Sequence, residues 1–290
     1  MLINLFEIKE IHDSFCKVYN IPPVELDAFI SKCNSEDDLV SKFCESFDFK
    51  LDGLDISSNE LVCRHITTTF DDCKSFSNNG FMSLIELLKT DSILNVFLKE
   101  NGVVIDIDKM TLKYKDNTEV SLAQDDCGNL KKLSRLSIAL NHDKGEVEAF
   151  YCGDLANMLG YSTVSKHPEV LEKIDGAISE LYGKDVESFS DKWIKQGPRT
   201  FMIEFSVPIN NISYCTGKSE SGMWNYKAYI QGTYEYINSY PQSAVINKWL
   251  INSMLNCLVK KEINHTCSYV GIKNPKLIRI IDINNMDEYK

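Results

Sequence analysis

The sequence predicts an α+β fold: a mixed, largely antiparallel split β-sheet core with flanking helices, preceded by a small acidic helical module. Three observations predict it. Apolar runs of strand character, such as ELVCRHI, TFMIEFSVPI and KLIRIIDI, are interspersed with segments whose apolar residues recur every three or four positions. The two kinds do not alternate regularly, as repeated βαβ units would. The charge is also uneven: residues 1–58 hold twelve acids and five bases, or −7 of a total −11, leaving −4 for the other 232 residues. At 290 residues, 43% hydrophobic and 25% charged, the chain can bury a sizeable core.

In chain order, LFEIKEIHDSFCKVY reads as a first helix. Ile21-Pro22-Pro23 breaks it, and Pro23 opens VELDAFISKC from a position that suits proline. Ser35 is the expected cap of a third helix, with Asp38 three residues on in a capping-box-like arrangement. After FDFKLDGLDISSNE the pattern changes, which places a boundary near residue 58, with residues 59–290 as the expected catalytic domain. ELVCRHI is its first strand; a short helix after the threonines stops at Asn79-Gly80. SLIELLKTDSILNVFLKEN reads as one helix or a broken pair, and GVVIDID with MTLKYK as a hairpin across Asp108-Lys109. NLKKLSRLSIALN is an amphipathic helix and EVEAFYC a strand; Asp154 caps LANMLGY, and Pro168 starts PEVLEKIDGAISELYG. TFMIEFSVPI is the clearest β run, and WNYKAYIQGTYEYIN is a long aromatic strand or hairpin. The helix SAVINKWLINSMLNCLVKK and the strands CSYVGI and KLIRIIDI close the chain.

No stretch approaches the roughly 18 to 20 apolar residues that span a bilayer. The acid-bearing start MLINLFEIKE is not that of a signal peptide. Ten cysteines occur without a C-x-x-C pair, mostly in apolar settings, so the expectation is reduced thiols in a cytoplasmic protein and no structural metal. The net negative charge disfavours non-specific binding to nucleic acid, with Lys131-Lys132 to Arg135 as a local basic exception. No G-x-G-x-x-G, P-loop or nucleophile-elbow pattern is present. Asp106 and Asp108 share a strand face, but no third carboxylate is placed beside them to complete a divalent-metal site.

Two stretches carry candidate chemistry. In CRHITTTF, strand alternation puts His65 and Thr67 on one face about 7 Å apart, spaced to hold a ribose, with Arg64 pointing away. In FYCGDLANMLGY, Tyr151 ends a strand and Tyr161 follows a helix, a presentation that can sandwich a flat aromatic ring. Each also has a plainer structural reading: a satisfied strand histidine, and two core aromatics. His-x-Thr on an early strand, a helix ending in Asn-Gly and a later Tyr-x-Gly-Asp…Tyr together resemble the ADP-ribosyltransferase superfamily. The resemblance is to its His–Tyr–Glu branch, which includes poly-ADP-ribose polymerases and bacterial toxins, and it covers short segments of residues 63–161.

That resemblance implies NAD as substrate and ADP-ribose transfer to a macromolecular acceptor, in a bacterial toxin or antiviral defence effector. It implies that His65, with Thr67 beside it, contacts the adenosine ribose and that Tyr151 and Tyr161 frame the nicotinamide; Arg64, pointing away, is left with either a phosphate contact from the loop side or no role in binding the cofactor. It also asks for a glutamate on a later strand, because breaking the nicotinamide–ribose bond develops a cationic centre that a carboxylate stabilises. Glu235 is the first candidate, with Gln231 four residues before it; Glu204 and Glu262 are rivals, and a solvated strand carboxylate is the plainer reading. Thr233 stands where the arginine-modifying branch has an acid or amide, which departs from that branch. Two other readings stand beside this one. In the first, the acidic helical segment docks a basic protein partner and the rest is scaffold. In the second, the aromatic strand stacks nucleic-acid bases.

Overall fold

Helix α1 (Ile8–Tyr19) places Ile11, Phe15, Val18 and Tyr19 on one buried stripe, and Asn20 ends it in the left-handed region at φ 52°. The computed structural model that shows this describes residues 1–123, 126–141, 146–161, 163–218, 224–229, 242–263 and 268–284. The chain forms two compact units, each discontinuous in sequence. Unit 1 comprises residues 1–65, 148–158 and 204–279; unit 2 comprises 66–147, 159–203 and 280–290. Helices and antiparallel strands coexist in an α+β architecture with a split sheet. Among the described residues no helix is long and apolar enough to cross a membrane.

In unit 1, Pro23 occupies the first turn of α2 (Pro23–Ile30), where its missing N–H costs nothing. Helix α3 (Leu39–Ser46) is capped by Asp38, whose Oδ1 accepts from the Ser41 amide at 3.1 Å, and not by Ser35. The reason is local: Asn34 and Asp37 close a turn on each other, which delays the helix. Phe15, Tyr19, Phe29, Phe43, Phe47 and Phe49 meet edge-on or tilted beneath these helices, so aromatic burial rather than charge holds them in place. The long helix α11 (Gln242–Lys260) packs on α1, α2 and α3. Its fully buried Asn247 donates through Nδ2 to the carbonyls of Leu51 and Leu54. Residues 1–58 are thereby built into the core of unit 1.

The main sheet runs β11–β7–β2–β6–β10–β8–β9, with the two-residue β1 (Leu2–Ile3) parallel to β2 (Glu60–Thr69). The other strands are β6 (Val147–Cys152), β7 (Arg199–Pro208), β8 (Ile212–Lys218), β9 (Trp224–Tyr229), β10 (Ser268–Ile272) and β11 (Lys276–Asp282). β2 and β6 are antiparallel with Arg64 opposite Phe150. β7 is buried from Thr200 to Val207, as a strand covered on both faces must be, and that run includes the charged Glu204.

In unit 2, α4 (Lys74–Asn79) stops at Gly80, whose φ of 73° lets its amide reach the Phe76 carbonyl at 2.8 Å. The next helical stretch is a broken pair, α5 (Leu84–Lys89) with a Ser83–Glu86 capping box and α6 (Ile93–Glu100) capped by Ser92. The hairpin of β3 (Val103–Asp106) and β4 (Thr111–Tyr114) gains a third strand, β5 (Val120–Ser121). Helix α7 (Lys131–Asn141) packs against α9 (Glu169–Tyr182). Helix α8 (Leu155–Gly160), whose first four residues belong to unit 1, follows Asp154, whose Oδ1 accepts from the Asn157 amide at 2.8 Å.

The sequence does not announce α10 (Phe189–Lys195), a helix of two turns whose apolar stripe is only Phe189 and Trp193. It is stabilised from a distance. The Asp175 carboxylate on α9 accepts from the Ser188 hydroxyl and from the amides of Phe189 and Ser190. Replacing Asp175 with Ala therefore removes three bonds to a charged acceptor, and a loss of about 2 kcal/mol is expected in urea denaturation. A loss below about 0.5 kcal/mol would show that Ser188 caps α10 unaided.

Candidate functional site

The residues singled out on β2 divide between its two faces, as alternation requires. His65 is half-buried, and its Nδ1–H donates to the Glu148 carbonyl on β6 at 2.9 Å. Desolvation pushes the imidazole below its ordinary value of 6.5, and the bond to the Glu148 carbonyl partly opposes that shift. The folded state therefore favours neutral His65. Since the unfolded chain takes up the proton first, this contribution is complete above pH 6.5 and is lost as pH falls through the lower folded-state value. An NMR titration of the His65 ring should give a midpoint below 6.5; a midpoint above it would overturn the assignment.

Arg64 faces the other way. Its Nε donates to Glu204 Oε2 at 3.0 Å, and its guanidinium lies 4.0 Å over the Phe6 ring. Arg279 on β11 grips the same carboxylate through Nε (2.9 Å) and Nη2 (3.2 Å). Since β11, β7 and β2 are neighbours, Arg279, Glu204 and Arg64 form a cross-strand triad in unit 1. Glu10 on α1 lies within its field: desolvation raises its carboxyl, Glu7 and Glu204 add to the rise, and Arg64 and Arg279 oppose it. The side chain of Glu204 is 7% exposed, and its two oxygens are occupied by guanidinium donors. A carboxylate so neutralised is a poor partner for a developing cation. Sequence spacing could not reveal a pairing across 140 residues, but a lone acid inside FMIEF signals that a buried partner is needed.

Tyr151 is 1% exposed. Its hydroxyl accepts from Trp249 Nε1 at 3.1 Å, lies 3.3 Å from Ser253 Oγ, and its ring meets Trp249 edge-on at 5.0 Å. The ring is closed in between β6 and α11, with no face presented to solvent. Thr67 and Tyr161 are both half-buried and both belong to unit 2, the first on β2 and the second just after α8. Glu262 is exposed just beyond α11. Glu235, Gln231 and Thr233 lie outside the described residues. The structure thus sets His65 and Arg64 back to back on β2, beside the strand that carries Tyr151.

The two strand aspartates singled out in the sequence are committed to the fold. Asp106 accepts from the amides of Asp108 and Lys109 and pairs with Lys109 Nζ, while Asp108 pairs with Lys89. Among the described residues no three His, Cys, Asp or Glu side chains are grouped to hold a metal ion. Burial pushes the Cys73 thiol up to about 12 and the Cys63 thiol further still, so neither is a nucleophile at neutral pH. Comparison of the chain with models of known families, with curated proteins and with solved structures finds no match.

Proposed function

We propose that the protein is an NAD-dependent ADP-ribosyltransferase that works in the cytoplasm as a toxin or antiviral effector and modifies a macromolecular acceptor. One observation carries the reading: His65 sits mid-strand with Nδ1–H bonded to the neighbouring strand and its ring biased to the neutral form. In that tautomer Nε2 is an acceptor, which is what a ribose hydroxyl requires. The early strand with His-x-Thr, the short helix and the glycine stop follow one another in the order the resemblance implies. Thr67 and Tyr161 keep their proposed roles towards ribose and nicotinamide. Tyr151 acts as a support of β6, since its hydroxyl and ring are held by α11.

In the reaction, the bond between nicotinamide and C1′ of the ribose breaks with its electron pair leaving on nicotinamide. A nucleophilic atom of the acceptor then bonds to C1′ and gives its proton to solvent. Glu235 is the carboxylate proposed to stabilise the intervening cationic centre, because Glu204 is taken by two guanidinium groups. The test is nicotinamide release from radiolabelled NAD, with label transfer to cell-extract macromolecules. Wild type should release nicotinamide, and Glu235→Gln should slow release by roughly 100-fold or more while melting normally. No release and no melting shift at millimolar NAD would refute the proposal.

A further inference from the structure

We propose that unit 2 carries a binding site for a phosphorylated small molecule in the cleft walled by α7, α9 and the segment entering α10. The inference goes beyond the transferase reading and does not depend on it. The cleft has a volume of about 560 Å³, and Lys132, Arg135, Gly176, Ser179 and Ser188 are among its lining residues. What marks it is the state of its charges. Glu169 is paired with Lys173 at 2.6 Å, and Glu187 with Lys195 at 2.7 Å. Asp175 is spent on the start of α10. Glu172 accepts from the Thr163 hydroxyl at 3.1 Å and lies 3.8 Å from His167 Nε2.

Lys132 and Arg135 stand apart from this. They make no ion pair among the described residues, and residues 128–141 contain no acid. The free amides at the start of α7 are not the attraction, because Glu180 Oε2 already accepts from the amides of Lys132 and Leu133. Any anion would be held by side chains. Gly176 adds a second, independent feature. It sits mid-helix in α9, where glycine is unfavourable, and the Lys132 stem crosses it so closely that a Cβ there would touch three of its carbons at 3.4–3.7 Å. The stem is thus laid across bare backbone, and Arg135 lines the same cleft one turn further along α7. A lysine and an arginine left unneutralised in one recess, with the Ser179 hydroxyl on its wall, match a phosphate or pyrophosphate group. The acids on the opposite wall limit the ligand to a compact anion, since a long polyanion would meet Glu169, Glu172 and Glu187.

The experiment is calorimetric titration of the full chain with inorganic pyrophosphate and, separately, with ribose 5-phosphate; the tighter arm identifies the source. Saturable binding is expected, weakened about tenfold or more by Lys132→Ala with Arg135→Ala and unchanged by Lys131→Ala, which lies outside the lining. Both replaced residues are exposed, so the melting temperature should hold. As a check that needs no variant, amide shifts on adding pyrophosphate should centre on Lys132, Gly176, Ser179 and Ser188. No binding by either probe at about 10 mM, or equal weakening by Lys131→Ala, overturns the proposal. So does tighter, salt-dependent binding of single-stranded RNA through all three bases.

Discussion

Glu204→Ala should destabilise the protein by about 3–5 kcal/mol, much of the net stability of an ordinary domain. The cost arises because the substitution removes the only carboxylate among the described residues bonded to Arg64, whose side chain is 14% exposed, and leaves a guanidinium desolvated over Phe6. Arg279, at 58% exposure, can turn to water and contributes little, so Arg279→Ala should cost under about 1 kcal/mol. Urea denaturation of both variants measures the asymmetry. A Glu204→Ala loss no larger than that of Arg279→Ala would show that Arg64 does not depend on Glu204 for its place in the fold. The same pair separates structure from the proposed catalysis, because losing Glu204 should lower stability without a specific loss of the proposed NAD turnover per folded molecule.

Tyr151→Ala is the second large effect, expected at about 3–5 kcal/mol for loss of a fully buried aromatic, against about 1 kcal/mol for Tyr151→Phe, which deletes only the hydroxyl. Both costs should appear with no ligand present. If Tyr151→Ala instead melted like wild type while nicotinamide release fell, the ring would be stacking on substrate rather than on Trp249.

The long helices, the two-stranded hairpin of β3 and β4 and the glycine stop of α4 could be read from periodicity and turn chemistry because each is specified by nearby residues, whereas β5 was not read. What could not be read depends on a competing turn or on a partner beyond the element itself. Helix α10 depends on Asp175, thirteen residues before the Ser188 hydroxyl it accepts from. The choice of Asp38 over Ser35 depends on a turn that occupies Asn34 and Asp37. For the candidate site, alternation correctly set Arg64 and His65 on opposite faces, yet it could not say that Arg64 answers Glu204. It also could not decide between exposed and enclosed for Tyr151, because an aromatic at a strand end looks the same in sequence whether α11 covers it or not.

The division of the chain into units has a consequence for anyone cutting it. The backbone passes from one unit to the other five times, after residues 65, 147, 158, 203 and 279. No contiguous fragment contains one whole unit without part of the other, so neither can be expressed alone by simple truncation. Deleting residues 1–58 would strip α11 of the helices it packs on and free the Asn247 amide from its two carbonyl partners. On the ribosome, unit 1 must wait for residues as late as 279 before it can close, by which time the whole of residues 66–147 has already emerged. A protease that nicks one crossing would leave fragments that stay associated until denaturant is added.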